Sequence, residues 1–157
     1  MSVSSKERME AANYAYRLLY YRERSRSEMA SRLGRRGYAP SVIKDVIGDL
    51  EKKRLLDDGR FAALLIRDIM RTRPSGLYFI RSKLMRYGVD RKVADKAISD
   101  IESEYDEFSA ALNAAEKRKA GMRGVNKEKA KKRIYDFLLR RGFSKDVVYK
   151  ILGRLFS

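Results

Sequence analysis

A chain of 157 residues has room for one ordinary domain or a short array of small units. Hydrophobic residues at 44% suffice for a packed core, and 37 Lys and Arg against 21 Asp and Glu leave a formal charge of +16, which calls for an acidic partner such as nucleic acid or a nucleoprotein. The absence of Cys and His removes disulfides, thiolate metal sites, thiol nucleophiles and the commonest general base.

In chain order, the opening Met1-Ser2-Val3-Ser4-Ser5-Lys6 has no apolar signal core. No later run approaches the roughly 18 to 20 apolar residues of a membrane span. The expected compartment is the cytoplasm. A first helix carries Tyr14, Ala15, Leu18 and Leu19. Ser25-Arg26-Ser27-Glu28 has capping-box spacing and opens a second helix through Met29 and Leu33, which Gly37 ends. Ala39-Pro40 starts a third, with Val42-Ile43, Val46-Ile47 and Leu50 on one face. Asp57 or Asp58 caps a fourth helix bearing Phe61, Leu64, Leu65 and Ile69. After Pro74-Ser75-Gly76 a fifth carries Ile80 and Leu84 to Gly88, and a sixth follows Asp90 with Val93-Ala94, Ala97-Ile98 and Ile101. Phe108, Ala111, Leu112 and Ala115 mark a seventh. Beyond Gly121 to Asn126, an eighth holds Ile134 and Leu138 up to Gly142. Ser144 caps the ninth, with Val147-Val148, Ile151-Leu152 and Leu155.

The elements repeat. Leu33-Gly34-Arg35-Arg36-Gly37, Leu84-Met85-Arg86-Tyr87-Gly88 and Leu138-Leu139-Arg140-Arg141-Gly142 stand 51 and 54 residues apart. Without gaps, apolar residues recur four before each Leu and five, nine, ten, thirteen, fourteen and seventeen after it. A repeat protein is the direct reading. The expected fold is all-α: three tandem three-helix repeats, residues 1–56, 57–104 and 105–157, stacked into an elongated curved array because one unit of about 50 residues buries too little alone.

The charge concentrates in the middle helices. No acid occurs from Met29 to Lys44 or from Ile69 to Val89, and Asp136 is the only one from Lys129 to Lys145. Residues 1–56 carry 13 basic and 7 acidic residues, residues 57–104 carry 10 and 8, and residues 105–157 carry 14 and 6. Two after the repeat Leu stands Arg35, Arg86 or Arg140; three after it, Arg36, Tyr87 or Arg141. The candidate filament- or nucleic-acid-binding side chains are Arg24, Arg26, Arg32, Arg35 and Arg36 in the first repeat. Arg81, Lys83 and Arg86 follow in the second, and Lys131, Lys132, Arg140 and Arg141 in the third. Arg suits phosphate and carboxylate because its planar fork binds them bidentately. The same residues, in the last helical turn, also complement the helix dipole.

Other chemistries are weaker. Helix, Gly turn, helix resembles a helix-turn-helix DNA reader, but Asp45, Asp49, Glu51, Asp95, Asp100 and Glu102 on the following helix repel phosphate. Tyr14, Tyr16, Tyr20 and Tyr21 could stack bases beside Arg22, Arg24 and Arg26, although helical spacing places some of them in the core. Asp57-Asp58-Gly59-Arg60-Phe61 reads as structural, with one Asp capping, Arg60 pairing locally and Phe61 packing between repeats. Gly121-Met122-Arg123-Gly124 lacks the Lys-Ser/Thr of a phosphate loop. No catalytic residue, cofactor or metal is expected.

Leu55-Leu56-Asp57-Asp58-Gly59-Arg60-Phe61-Ala62, with Arg24 to Glu28, Leu33, Gly37-Tyr38, Gly76, Ile80, Leu84 and Gly88-Val89, resembles the RecX family of regulators of the RecA recombinase. The likeness covers nearly the whole chain; Ser82-Lys83-Leu84 and Arg73-Pro74-Ser75 depart from the family pattern. It implies a small cytoplasmic protein that binds RecA filaments on DNA and modulates, usually inhibits, ATPase and strand exchange; the expected partners are the RecA filament and single- or double-stranded DNA, and the expected state is a monomer. The alternatives are a non-specific DNA-binding protein that competes for DNA, and a protein–protein scaffold without DNA contact.

Overall fold

In the computed structural model, which describes residues 2–157 with side chains from Ser5 onward, every regular element is a helix. The reading that the N-terminus lacks a signal core begins at Met1, which lies outside the described residues. The helices are α1 (Ser2–Tyr21), α2 (Arg26–Arg35), α3 (Pro40–Lys52), α4 (Asp58–Thr72), α5 (Leu77–Arg86), α6 (Arg91–Glu102), α7 (Glu107–Ala120), α8 (Lys127–Arg140) and α9 (Lys145–Leu155). The fold is all-α with three three-helix repeats. None of the described helices is long and apolar enough to cross a membrane.

Local chemistry sets the boundaries. Ser25 and Glu28 form a reciprocal capping box at α2, and Pro40 occupies the first turn of α3. Asp57 Oδ1 accepts from the Arg60 N–H at 3.1 Å, so Asp57 is the cap of α4. Asp106, Asn126 and Ser144 cap α7, α8 and α9 with their side chains. The three Gly turns share one hydrogen-bond pattern. Tyr38, Val89 and Phe143 N–H donate to the carbonyls of Leu33, Leu84 and Leu138 at 3.3, 3.1 and 3.1 Å. Gly37, Gly88 and Gly142 close the inner bonds at φ of 89°, 75° and 85°, the left-handed region that glycine enters at little cost. The repeat Leu therefore has two roles. Its side chain is fully buried in every copy, and its carbonyl terminates the helix.

Contacts within the chain define two compact units, Met1–Leu64 with Leu84–Ala94, and Leu65–Lys83 with Asp95–Ser157. Sequence repeat and spatial compactness are thus different partitions: α4, α5 and α6 each give a segment to each unit. In the first unit Met29, Leu33, Val46, Ile47 and Leu50 pack on Ala11, Ala15 and Leu18. In the second, Ile134, Leu138, Phe143, Val148 and Ile151 pack on Ala111, Ala114 and Ala115. The Ala-rich faces of α1 and α7 let the other helices approach closely. One apolar position departs from the expected face of α4. Leu64 is exposed, whereas Ala62 and Ile66 are buried with Phe61 and Ile69. The helix is rotated so that 61, 62, 66 and 69 share its inner stripe.

Candidate nucleic-acid interface

In the first unit the basic side chains fall into three environments. Arg35, in the last turn of α2, and Arg86, in the last turn of α5, are exposed. Both line an open cleft of about 400 Å³ together with Arg22, Arg24, Arg32 and Ser27. Arg24, between α1 and α2, is only 7% exposed, and its Nε has no hydrogen-bond partner among the described residues. Burial, and next the charge of Arg22, hold its guanidinium below the ordinary arginine pKa. Arg22 goes the other way, raised by its hydrogen bonds to Glu28, the shorter being 2.5 Å.

The remaining two first-unit candidates are engaged within the fold. Arg26 Nε pairs with Glu51 at 3.2 Å, and its main-chain N–H donates to Asp58 Oδ1 at 2.8 Å. Burial pushes the Asp58 carboxyl up. Arg36 stacks over the Tyr14 ring at 4.2 Å.

In the second unit Arg81 pairs with Asp95, and Lys132 with Asp136 at 3.2 Å. Lys83 and Lys131 are half-buried, and Arg140 is exposed. Arg141 donates from Nε and Nη2 to the Pro74 carbonyl at 3.0 and 2.7 Å. Burial is the larger cause, and Arg73 the next, of its lowered pKa.

The repeat therefore separates two positions that adjoin in sequence. Two residues after the Leu, the arginine is exposed in all three copies. Three after it, the side chain contacts the fold: Arg36, itself exposed, stacks over Tyr14, Tyr87 meets Phe61 edge-on with centroids 5.3 Å apart, and Arg141 ties α8 to the Pro74 loop. A rotation of one residue, about 100° around the helix, accounts for the division.

The tyrosines divide as well. Tyr14 lies under Arg36, and Tyr16 accepts from Lys53 Nζ at 3.0 Å. Tyr20 and Tyr21 are 87% and 80% exposed and stack edge-to-face at the end of α1. The acids of α3 remain exposed, with Asp45 on Arg8 and Asp49 on Lys53, a poor surface for entering a major groove. Arg60 was expected to pair locally. It donates to the nearby Arg54 carbonyl, but its ion pair is with Glu23, 37 residues away, at 3.0 Å. Among the described residues no cluster of His, Cys, Asp or Glu is placed to hold a metal ion. What sequence reasoning missed is the cleft itself. Tyr87, Ser27 and Arg22 carry no signal of a shared site until Arg86 and Tyr87, at the end of α5, are placed beside α2.

The chain matches the first RecX three-helix domain over residues 11–50, the second over 57–98 and the third over 104–152. It is 34% identical to a regulatory protein RecX of Chlorobium limicola over 94% of this chain and 91% of that protein. It is also 34% identical to one of Prosthecochloris aestuarii over 99% of each. Its fold is similar to the crystal structure of RecX from Lactobacillus salivarius, with a TM-score of 0.86 at 24% identity over 96% of this chain and 97% of that one.

Proposed function

The chain belongs to the RecX family, and from that premise we propose that it is a non-enzymatic regulator of the RecA recombinase, acting as a monomer in the cytoplasm. It binds in the groove of the RecA filament on DNA and lowers ATP turnover and strand exchange. The match to all three family domains carries this reading. The exposed arginine at one repeated position, Arg35, Arg86 and Arg140, supports a charged contact face, since guanidinium forks suit both phosphate and carboxylate. Differential binding to one filament state is enough to change turnover without chemistry of its own.

Competition for DNA is the second reading. It is favoured by the excess of 14 basic over 6 acidic residues in 105–157. RecA ATPase at saturating single-stranded DNA, with this protein titrated in, separates the two. Filament binding is expected to inhibit in a way that extra DNA does not relieve. Relief in proportion to added DNA supports competition instead.

A further inference from the structure

The cleft at α2 and the end of α5 holds a charge imbalance that the fold does not resolve. Arg22, Arg24, Arg32, Arg35 and Arg86 line it, and its one carboxylate is Glu28. Glu28 is already committed: it accepts from Arg22 at 3.2 and 2.5 Å and from the Ser25 N–H at 3.1 Å. Among the described residues Arg24 is left without a hydrogen bond or ion pair, more than nine-tenths buried, with an orphaned Nε. Arg22 and Arg32 act against its charge, and Glu28 and Tyr14 offset only part of that. A buried, unpaired cation among like charges is costly. A water molecule would give Nε an acceptor but would leave the charge uncompensated. A tetrahedral oxyanion in the cleft supplies the missing counter-charge, and arginine is the side chain suited to bind one.

We propose that this cleft is a receptor for one phosphate group, anchored by Arg24 and closed by Arg32, Arg35 and Arg86, with the Ser27 and Ser31 hydroxyls as neutral donors at its wall. The site is concave and built around a buried side chain, unlike the exposed arginine at the same repeat position in α8. The Gly88 turn shapes it: a Cβ on Gly88 would lie 2.3 Å from Ser27 Oγ. Two sources offer the same chemistry, a phosphodiester of a nucleic-acid backbone and a free or terminal phosphate.

The test is thermal melting of the full chain in inorganic phosphate against sodium chloride at matched ionic strength. Wild type is expected to melt about 2 to 4 °C higher once phosphate exceeds its dissociation constant about fivefold. Arg24→Met should melt no lower than wild type without phosphate, because a buried unpaired charge is removed, and should lose the phosphate shift. Arg86→Gln, at an exposed position, should leave the ligand-free melt unchanged and weaken phosphate binding severalfold. A short oligothymidylate then identifies the source. Displacement of phosphate from the cleft points to a backbone phosphodiester, and undisturbed phosphate binding beside bound oligonucleotide to a free or terminal phosphate. Equal melting in phosphate and chloride overturns the proposal, as does a phosphate shift that survives both substitutions. No filament is present in any arm, so this proposal and the filament reading fail separately.

Discussion

The Ser25 hydroxyl accepts from the Glu28 N–H at 3.0 Å and donates its own proton to the Tyr87 carbonyl at 2.6 Å. One buried oxygen thus caps α2 and satisfies the chain just beyond α5, 62 residues away. Ser25→Ala removes a cap and orphans a carbonyl, and should cost about 2 to 4 kcal/mol. Ser25→Asp isolates the second role. Aspartate caps as well as serine but has no proton to donate, and it sets a carboxylate against the carbonyl. Denaturant melts should therefore place it no higher than Ser25→Ala; full recovery by Asp would mean that the Tyr87 bond contributes nothing.

The three turn glycines share a positive φ but not a neighbourhood. A Cβ on Gly37 meets nothing within 4 Å, on Gly88 it meets the Ser27 side chain at 2.3 Å, and on Gly142 the Phe79 main-chain nitrogen at 2.3 Å. Gly37→Ala should cost only the left-handed strain, about 1 to 2 kcal/mol. Gly88→Ala should cost more, and Gly142→Ala most, because a rotatable hydroxymethyl can yield where backbone cannot. Equal melting losses at all three would mean that φ alone decides them.

Phe61 is 4% exposed and meets Tyr87 edge-on. Phe61→Ala should cost about 3 to 5 kcal/mol. A loss below about 1 kcal/mol in urea melts would mean that the surrounding side chains collapse into the space.

The fold was legible because the chain states it three times, once in each repeat. Apolar spacing, a Gly and a cap agree at Leu33, Leu84 and Leu138, and the structure buries all three alike. The site was legible only to within a turn. Sequence groups Arg35 with Arg36, and Arg140 with Arg141, since adjacent residues share every compositional signal. Only the rotation between them sets Arg36, itself exposed, over Tyr14 and Arg141 on the Pro74 carbonyl. Arg24 shows a different limit. Nothing in Arg24-Ser25-Arg26 reveals which arginine is buried, because that depends on how the α1–α2 connection packs on distant chain, where Ser25 bonds the Tyr87 carbonyl. Arg60 shows the same limit, since its partner Glu23 is near only after folding.

Asp58 gives a pH-dependent case. Its carboxyl accepts from the Arg26 N–H, yet burial raises its pKa, with Glu51 adding to the rise. A carboxyl raised in the folded state contributes stability that is full below its unfolded pKa, about 3.9, and is lost as pH rises through the folded value. Asp58→Asn keeps an acceptor without the titration. Wild type should therefore lose stability relative to Asp58→Asn across the acidic window just above the ordinary aspartate value, and the two curves should run parallel at neutral pH. The variant should also regulate normally. Loss of regulation at unchanged thermal stability would overturn the structural role of this acid.

The charged face is tested by dividing the arginine pairs as the structure does. Arg35→Glu with Arg140→Glu changes two exposed side chains, while Arg36 and Arg141 stay on Tyr14 and Pro74. This double variant should keep its helical fold and melt only slightly lower, because each Glu opposes the dipole at its helix end by about 0.3 to 1 kcal/mol. It should bind duplex DNA and filament more weakly and with a flatter salt dependence, because each lost phosphate contact removes about 0.9 from the slope of log affinity against log salt. Contacts to carboxylates of a protein partner are screened by salt without that counterion-release slope. A lower line of unchanged slope would thus assign these arginines to protein contacts. Arg36→Glu with Arg141→Glu should do the reverse, lowering the melting temperature through the lost Tyr14 stack and the lost Pro74 bonds. Should the Arg35/Arg140 variant bind with wild-type affinity and slope, the binding face lies elsewhere, on the end of α1 beside Arg22 and the exposed Tyr20 and Tyr21.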